Sequence, residues 1–386
     1  MTKQRITLLI FLALGNWTFL NHVPFFSDFS KIGFTEKVTL TTTSGNSSAL
    51  PIVNPIAQAG QFNFFIEENM TSRNGDIDGA GAIGGNLTLD GSNSVSGNNA
   101  GNFQPNGDSR PTGLLIGGRI IYNGGSGLNV NQNGYVKLGN ANGSTVYDTQ
   151  NNTNVLTRIT GGGYNSNPKV SLQTHQPASS VLRSNLINFS SIFDDFRCYS
   201  DGLKELSNNT SYSVNGSQGY INVIANRVNV LNITGNQLNS VQGLIFQGTQ
   251  PNASTPLIIN INAAGTFHWN IPSFNAIGDS HGKYIILNFY NTTTVHLYGG
   301  NTIVGAFFAP RAHVDKNGSG NVNGQMIAKS YIHGSGELHH HPFVPTLNIP
   351  SCNNCDPLNL ACQTRVNQEL GSMDALEQSV KEIILD

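Results

Sequence analysis

The chain has 386 residues, enough for one large domain or two, and balances 20 Lys and Arg against 22 Asp and Glu for a net charge of -2. Charged residues make up only 11% of it, against about 25% in ordinary soluble domains. The basic residues are scattered, which excludes both the basic stripe that holds nucleic acid and the polybasic patch that holds an anionic membrane. Polarity rests instead on Gly, Asn, Ser and Thr.

Residues 1–22 read as a secretory signal. Lys3 and Arg5 precede the apolar run 6–14, and Ala13 and Gly15 supply the small residues of a cleavage site. The run is too short to span roughly 30 Å of hydrocarbon. Asn-x-Ser/Thr sequons recur from Asn46 to Asn317, as suits an exported glycoprotein. Residues 23–60 form a leader rich in Thr, Ser and Pro with little periodicity, expected to be partly disordered.

From Phe62 onward, short apolar runs alternate with Gly/Asn clusters: 84–89, 114–118, 134–138, 220–231, 244–246, 257–261, 284–289, 294–297 and 303–308. Their β-branched and aromatic content predicts strands of four to six residues between turns. Successive strands lie at uneven spacings and carry no blade motif, which disfavours a propeller. Gly and Asn tolerate the left-handed angles of tight corners, and Asn amides can bond from one coil to the next. The expected fold is therefore mainly β, a right-handed β-helix or solenoid over residues 61–346.

One stretch breaks the pattern. Leu182, Leu186, Phe189, Phe193 and Phe196 recur at steps of four and three, predicting a helical insertion over about 181–206 that covers a flank of the solenoid, with a break at Asp201-Gly202. Residues 347–386 have helix-forming composition behind a Cys-rich knuckle. Cys198, Cys352, Cys355 and Cys362 are disulfide candidates, and three pairings are open. A zinc site would need a second ligand pair near Cys352 and Cys355, and one further Cys lies there.

Two blocks resemble the choice-of-anchor A domain of secreted and surface-attached proteins. The first runs from Asn74-Gly75-Asp76-Ile77-Asp78-Gly79 to Gly84-Gly85-Asn86-Leu87-Thr88-Leu89. The second runs from Leu287-Asn288-Phe289 through Ala309-Pro310-Arg311 and Asn323-Gly324-Gln325 to Gly336-Glu337-Leu338-His339 and Pro342-Phe343. Asp76, Asp78, Gly84, Gly85, Asn86, Asn288, Pro310, Asn323, Gly324, Glu337, His339, Pro342 and Phe343 carry the resemblance, with structural roles. It implies a β-helical adhesin domain without catalytic residues or cofactor. Similar domains occur in amoebal cyst-wall lectins and in microbial collagen-binding surface proteins.

Chemistry is sparse. If 337–341 is a strand, Glu337, His339 and His341 share a face at period two, with His333 nearby, which would suit a metal; the competing reading is hydrogen bonding to the turns that close the last coil. Asp76 and Asp78 offer too few oxygens for calcium. GxSxG, HExxH and P-loop motifs are missing, so no enzyme is expected. Alternation sends Tyr284, Tyr290, His296 and Tyr298 outward with Trp269 near them, a candidate row for stacking on sugars; packing at corners or under loops is the competing reading. The expected function is a secreted surface or wall protein that binds polysaccharide of the cellulose or chitin type as a lectin. A collagen-type, matrix-protein-binding adhesin and a self-assembling coat protein are the alternatives. A repeated Thr grid on a flat face would instead mark ice binding, but Thr292-Thr293-Thr294 is a single run.

Overall fold

The computed structural model describes residues 52–60 and 62–349. Three sets of parallel strands stack along the molecule, and most coils of the chain contribute one short strand to each of three faces.

Face A joins nine strands: residues 135–138, 112–116, 81–83, 64–66, 326–328, 306–309, 285–288, 257–262 and 229–234. Face B joins seven: residues 120–122, 87–89, 70–72, 331–333, 313–316, 294–298 and 265–270. Face C contains the strands Gln218–Val223, Gly243–Gly248 and Ser273–Asn275, then the short ladder Ile303–Val304, Val322–Gly324 and Leu338–His340, and continues through residues 74–76, 92–95, 127–130 and 169–172. The long strands Ala306–Lys316 and Met326–His333 bend around the corner between A and B, so the hydrogen-bonded strands close into one ring.

Period-two alternation fills the interior. Ile66, Ile83, Ile116 and Leu287 point inward from face A, and Leu87, Val295, Leu297 and Val314 from face B, all within one continuous apolar core. The mainly β expectation holds, and the Asn ladder is present. The amide Nδ2 of Asn288 donates to Asn260 Oδ1 (2.9 Å), and that of Asn260 donates to Asn232 Oδ1 (2.9 Å).

The order of coils along the stack does not follow the chain. From residues 64–66 the chain climbs to 135–138 at one end, crosses back, restarts at 229–234 at the other end, and returns until 326–328 pairs with 64–66. The crossing is made by helix α2. A short helix, α1 (Ala178–Val181), precedes it, and α2 itself spans Phe189–Lys204, with Asn188 Oδ1 capping Ser191 N.

The predicted insertion is therefore displaced. Leu182 lies outside any helix and is exposed, Asn185 adopts a left-handed angle that interrupts the stripe, and α2 passes through Asp201-Gly202 without a break. The apolar phase survives from Phe189 on. Phe189, Phe193, Phe196 and Leu203 pack on the outward side chains of face A, Phe65, Ile258, Ile286 and Phe308. Rings of Phe65 and Phe189 stack at 4.9 Å, and Arg197 makes a two-pronged ion pair with Glu67 at 2.8 and 3.0 Å.

The end of the expected leader belongs to this layer. Ile56 and Ala59 are buried in it, Ile52–Val53 pairs antiparallel with Leu347–Asn348, and Gln325 Nε2 donates to the carbonyls of Ala59 and Phe62. Partial disorder does not extend to residues 52–60, because face A needs their apolar side chains as cover. A short helix α3 (Gly235–Asn239), with its capping box at Thr234 and Gln237, lies beside the edge strand Gly265–Asn270. The signal, most of the leader and the tail from 350 lie outside the described residues.

Candidate functional site

Face A is covered by α2. Face B presents its outward side chains to solvent. The register sets them in columns, one residue per strand, at about 4.8 Å per step. One column reads His268, His296, Asp315, Ile332, Thr71, Thr88, Ile121; beside it runs Thr266, Thr294, His313, Ser330. Seven rungs make a strip about 29 Å long. Phe267, Trp269, Val295, Leu297, Val314 and Tyr331 anchor the strip from below. At its far end a cleft of about 600 Å³ opens between Arg119, Tyr122, Asn142, Gly162 and Asn167.

The two ends of the strip differ chemically. Toward residues 120–122 it is Thr and Ile. Toward residues 265–270 it is a stack of rings: His268 on His296 at 4.8 Å and 13°, and Tyr298 beside both at 6.0 and 6.2 Å. His296 Nδ1 pairs with Asp315 Oδ2 at 3.2 Å, His268 Nδ1 meets the Tyr298 hydroxyl at 3.5 Å, and His313 Nδ1 meets Ser330 Oγ at 2.8 Å. Burial pushes the His313 imidazole below its ordinary value, against the pull of Asp315.

The aromatic row expected from sequence is broken up. Trp269 is fully buried in the core, because Gly265–Asn270 alternates with Phe267 and Trp269 inward. Tyr284 ends the 3-10 turn Asp279–Tyr284 beneath the Lys283 ammonium, and Tyr290 sits half-buried in a corner beneath Lys204. Only His296 and Tyr298 share face B. Their partner His268 was missed, although the alternation that buries Trp269 turns it outward.

The motif residues hold corners. Asp76 accepts from Ser94 Oγ (2.9 Å) and Asp78 from Asn98 Nδ2 (2.7 Å). A Cβ at Gly84 would lie 2.1 Å from the Glu67 carbonyl, and Gly85 and Gly324 are hemmed in likewise by the neighbouring coil. Asn86 Oδ1 accepts from Arg119 N (3.0 Å), while Asn288 donates to Ser200 O (2.9 Å) and so ties α2 to face A. Pro310 is buried where Ala306–Lys316 turns the corner. His339 is bound on both nitrogens, by Asn323 Oδ1 (2.6 Å) and Glu337 Oε2 (2.8 Å). Phe343 is buried, and its N–H donates to Gln325 Oε1 (3.0 Å), with Pro342 beside it.

His333 does not join that set. It points inward, bonds the Tyr331 hydroxyl (2.9 Å), and burial together with nearby Lys316 pushes it down to about 3. Among the described residues no group of three or more His, Cys, Asp or Glu is placed to hold a metal ion. Cys198, on α2, is disulfide-bonded; Cys352, Cys355 and Cys362 lie outside the described residues. Among the described residues no helix is long and apolar enough to cross a membrane.

Residues 55–340 match the family model described as "Putative Ice-binding-like adhesive domain". No curated protein matches the chain. Solved structures similar to it include an ice-binding protein from the Antarctic ascomycete Antarctomyces psychrotrophicus, at 11% identity and a TM-score of 0.32, covering 76% of this chain and 98% of that one. An ice-binding protein from an Antarctic biological consortium is similar at 10% identity and a TM-score of 0.30, covering 80% and 97%. The third is ice-binding protein 1 of Shewanella frigidimarina, at 10% and 0.29, covering 77% and 98%.

The family match corrects the functional expectation. It is to an ice-binding-like adhesive domain, not to a polysaccharide lectin, and neither a collagen-type adhesin nor a coat protein is indicated. It agrees with an adhesin-type domain while not being the choice-of-anchor A family.

Proposed function

The chain belongs to the ice-binding-like adhesive domain family, and from that premise we propose that it is an exported, non-enzymatic adhesive domain that docks an ordered solid surface through face B. One observation carries the reading: the register fixes seven rungs of outward side chains at a constant step along one ladder. A rigid, repeating array suits a partner that is itself flat and repeating, because the cost of ordering the side chains is met during folding rather than on contact. The Thr and Ile half supplies short hydroxyl and methyl groups that do not break the plane. Thr71 beside Thr88, and Thr266 beside Thr294, come from successive coils.

In this reading the three ladders are faces of a right-handed β-helix, the hand that parallel crossovers take almost without exception. The resemblance of the two motif blocks to choice-of-anchor A domains then reflects shared corner chemistry.

Ice is the surface to test first, since the family description points to it. Thr71→Tyr with Thr88→Tyr keeps strand propensity but raises two bulky steps from the plane. Uptake of the secreted protein into a slowly grown ice front should fall sharply in this variant and stay unchanged in Asn222→Tyr, an exposed position on face C. Equal uptake by all three proteins would remove face B as the contact surface, and no uptake of the parent would remove ice as the partner.

A further inference from the structure

The ring stack at the His end of face B has an arrangement that adhesion does not require. His268 and His296 occupy facing positions on adjacent parallel strands, with ring centroids 4.8 Å apart. Each imidazole has its Nδ1 engaged: His296 with the Asp315 carboxylate, His268 with the Tyr298 hydroxyl. Those contacts leave the two Nε2 atoms, one on each of two neighbouring rings, as the donors available to a ligand. We propose that His268 and His296 form a two-imidazole site for a divalent transition-metal ion, with Cu2+ the tightest binder and water completing the coordination.

Neutral imidazole is a common ligand for such ions, and affinity for a nitrogen site rises along the divalent series to copper. A carboxylate on the far nitrogen orients a ligating histidine and raises its basicity, the position Asp315 holds. One oxygen of Asp315, Oδ1, is buried without a hydrogen-bond partner. The carboxylate is therefore short of donors, and a fully protonated Nδ1 on His296, as metal binding at Nε2 requires, gives it a stronger one. Bringing both Nε2 atoms to one ion needs the rings to tilt from their parallel stack. His268 is exposed, and its ring can swing at the cost of the long 3.5 Å contact with Tyr298, while His296 keeps its hydrogen bond to Asp315.

Two other described histidines lack this combination. His339 is bound on both nitrogens and His333 is fully buried. With only two protein donors, the site is distinct from the groups of three or more that are missing among the described residues.

Copper titration of the secreted protein, followed by calorimetry and by electron paramagnetic resonance, tests the site without any adhesive surface, so its outcome is independent of the ice experiment. One saturable ion per chain is expected, with a two-nitrogen signature. The double variant His268→Asn, His296→Asn should lose that ion while its circular dichroism stays that of the parent. Asp315→Asn should keep the signature but weaken binding by roughly tenfold or more. The same stoichiometry and affinity in the double variant, or no saturable ion in the parent, would overturn the proposal.

Discussion

At the scale of single residues, the corners explain why so many polar and small side chains are fixed. Asn288 is fully buried, donates to Ser200 O and Asn260 Oδ1, and accepts from Ser200 Oγ at 2.6 Å. Asn288→Ala removes all three bonds and strands buried partners on both α2 and face A, a loss of about 2–4 kcal/mol. Denaturant unfolding should show it as a lower midpoint with an unchanged slope. Gly324 tests a different cause, since a Cβ there would sit 2.1 Å from the backbone carbonyl of Gly305. Backbone cannot swing aside as a side chain can, so Gly324→Ala should destabilise although it adds one methyl group.

His333 gives the stability a pH dependence whose sign is fixed by burial. In the folded protein its imidazole is pushed down from 6.5 to about 3. Between those values the unfolded chain binds the proton and the folded chain does not, so stability falls as pH falls through that window. His333→Asn should flatten this acid slope in melting temperature measured from pH 7 to pH 4; an unchanged slope would assign the acid loss to other groups. Lys316, which faces His333 across the ladder, acts at the other end. Burial lowers its ammonium to about 8, so the unfolded state holds the extra proton from there to 10.5 and stability rises with pH across that range. Tyr331, raised well above 10.0, opposes this trend beyond pH 10.

At the scale of elements, α2 shows what sequence periodicity can and cannot reveal. The spacing of Phe189, Phe193 and Phe196 was legible because face A fixes one apolar stripe. Leu182 and Leu186 continue the arithmetic but not the helix, because Asn185 turns left-handed between them and α1 has already ended. Strands in the apolar runs were legible too, through β-branching and turn residues. Which ring faces outward was not. Trp269 lies near the expected row in sequence but on a strand of its own, Gly265–Asn270, and the phase of a six-residue strand inverts with a shift of one residue. The columns of face B lay further out of reach, since they depend on which coils are neighbours. Phe193 lies at the centre of the helix contact, against Phe65 at 5.9 Å and Phe196 at 5.3 Å. Phe193→Ala should cost about 3–5 kcal/mol, and fluorescence of a dye that binds exposed apolar surface should rise as α2 loosens from face A.

At the scale of the whole molecule, the order of the stack makes the chain depend on its most distant contact. Face A has nine strands, so its ends lie about 38 Å apart, while the sixteen residues of α2 cover about 24 Å. The flanking stretches 182–188 and 205–210 supply the rest. That crossing lets the last coils return to the first: Phe64–Ile66 pairs with residues 326–328 on one side and with Gly81–Ile83 on the other. Asn63 stitches the same joint, donating from Nδ2 to Gly324 O at 2.8 Å and accepting at Oδ1 from Gly79 N at 3.0 Å.

Cut at residue 185, the N-terminal part keeps its coils but bares the edges at 64–66 and 70–72. It also loses α2, and with it the cover that Phe189, Phe193 and Phe196 give face A. Unpaired edges and an apolar face together predict aggregation rather than a smaller folded unit. Residues 50–185 and 186–386 made as separate chains should each lack a cooperative melt. Co-expressed, they should purify together and melt as one, because the joint at 64–66 and the helix contact are both restored between chains. A cooperative melt from residues 50–185 alone would mean that the N-terminal coils are a domain in their own right, and that the pairing of first coil with last joins two finished structures instead of completing one.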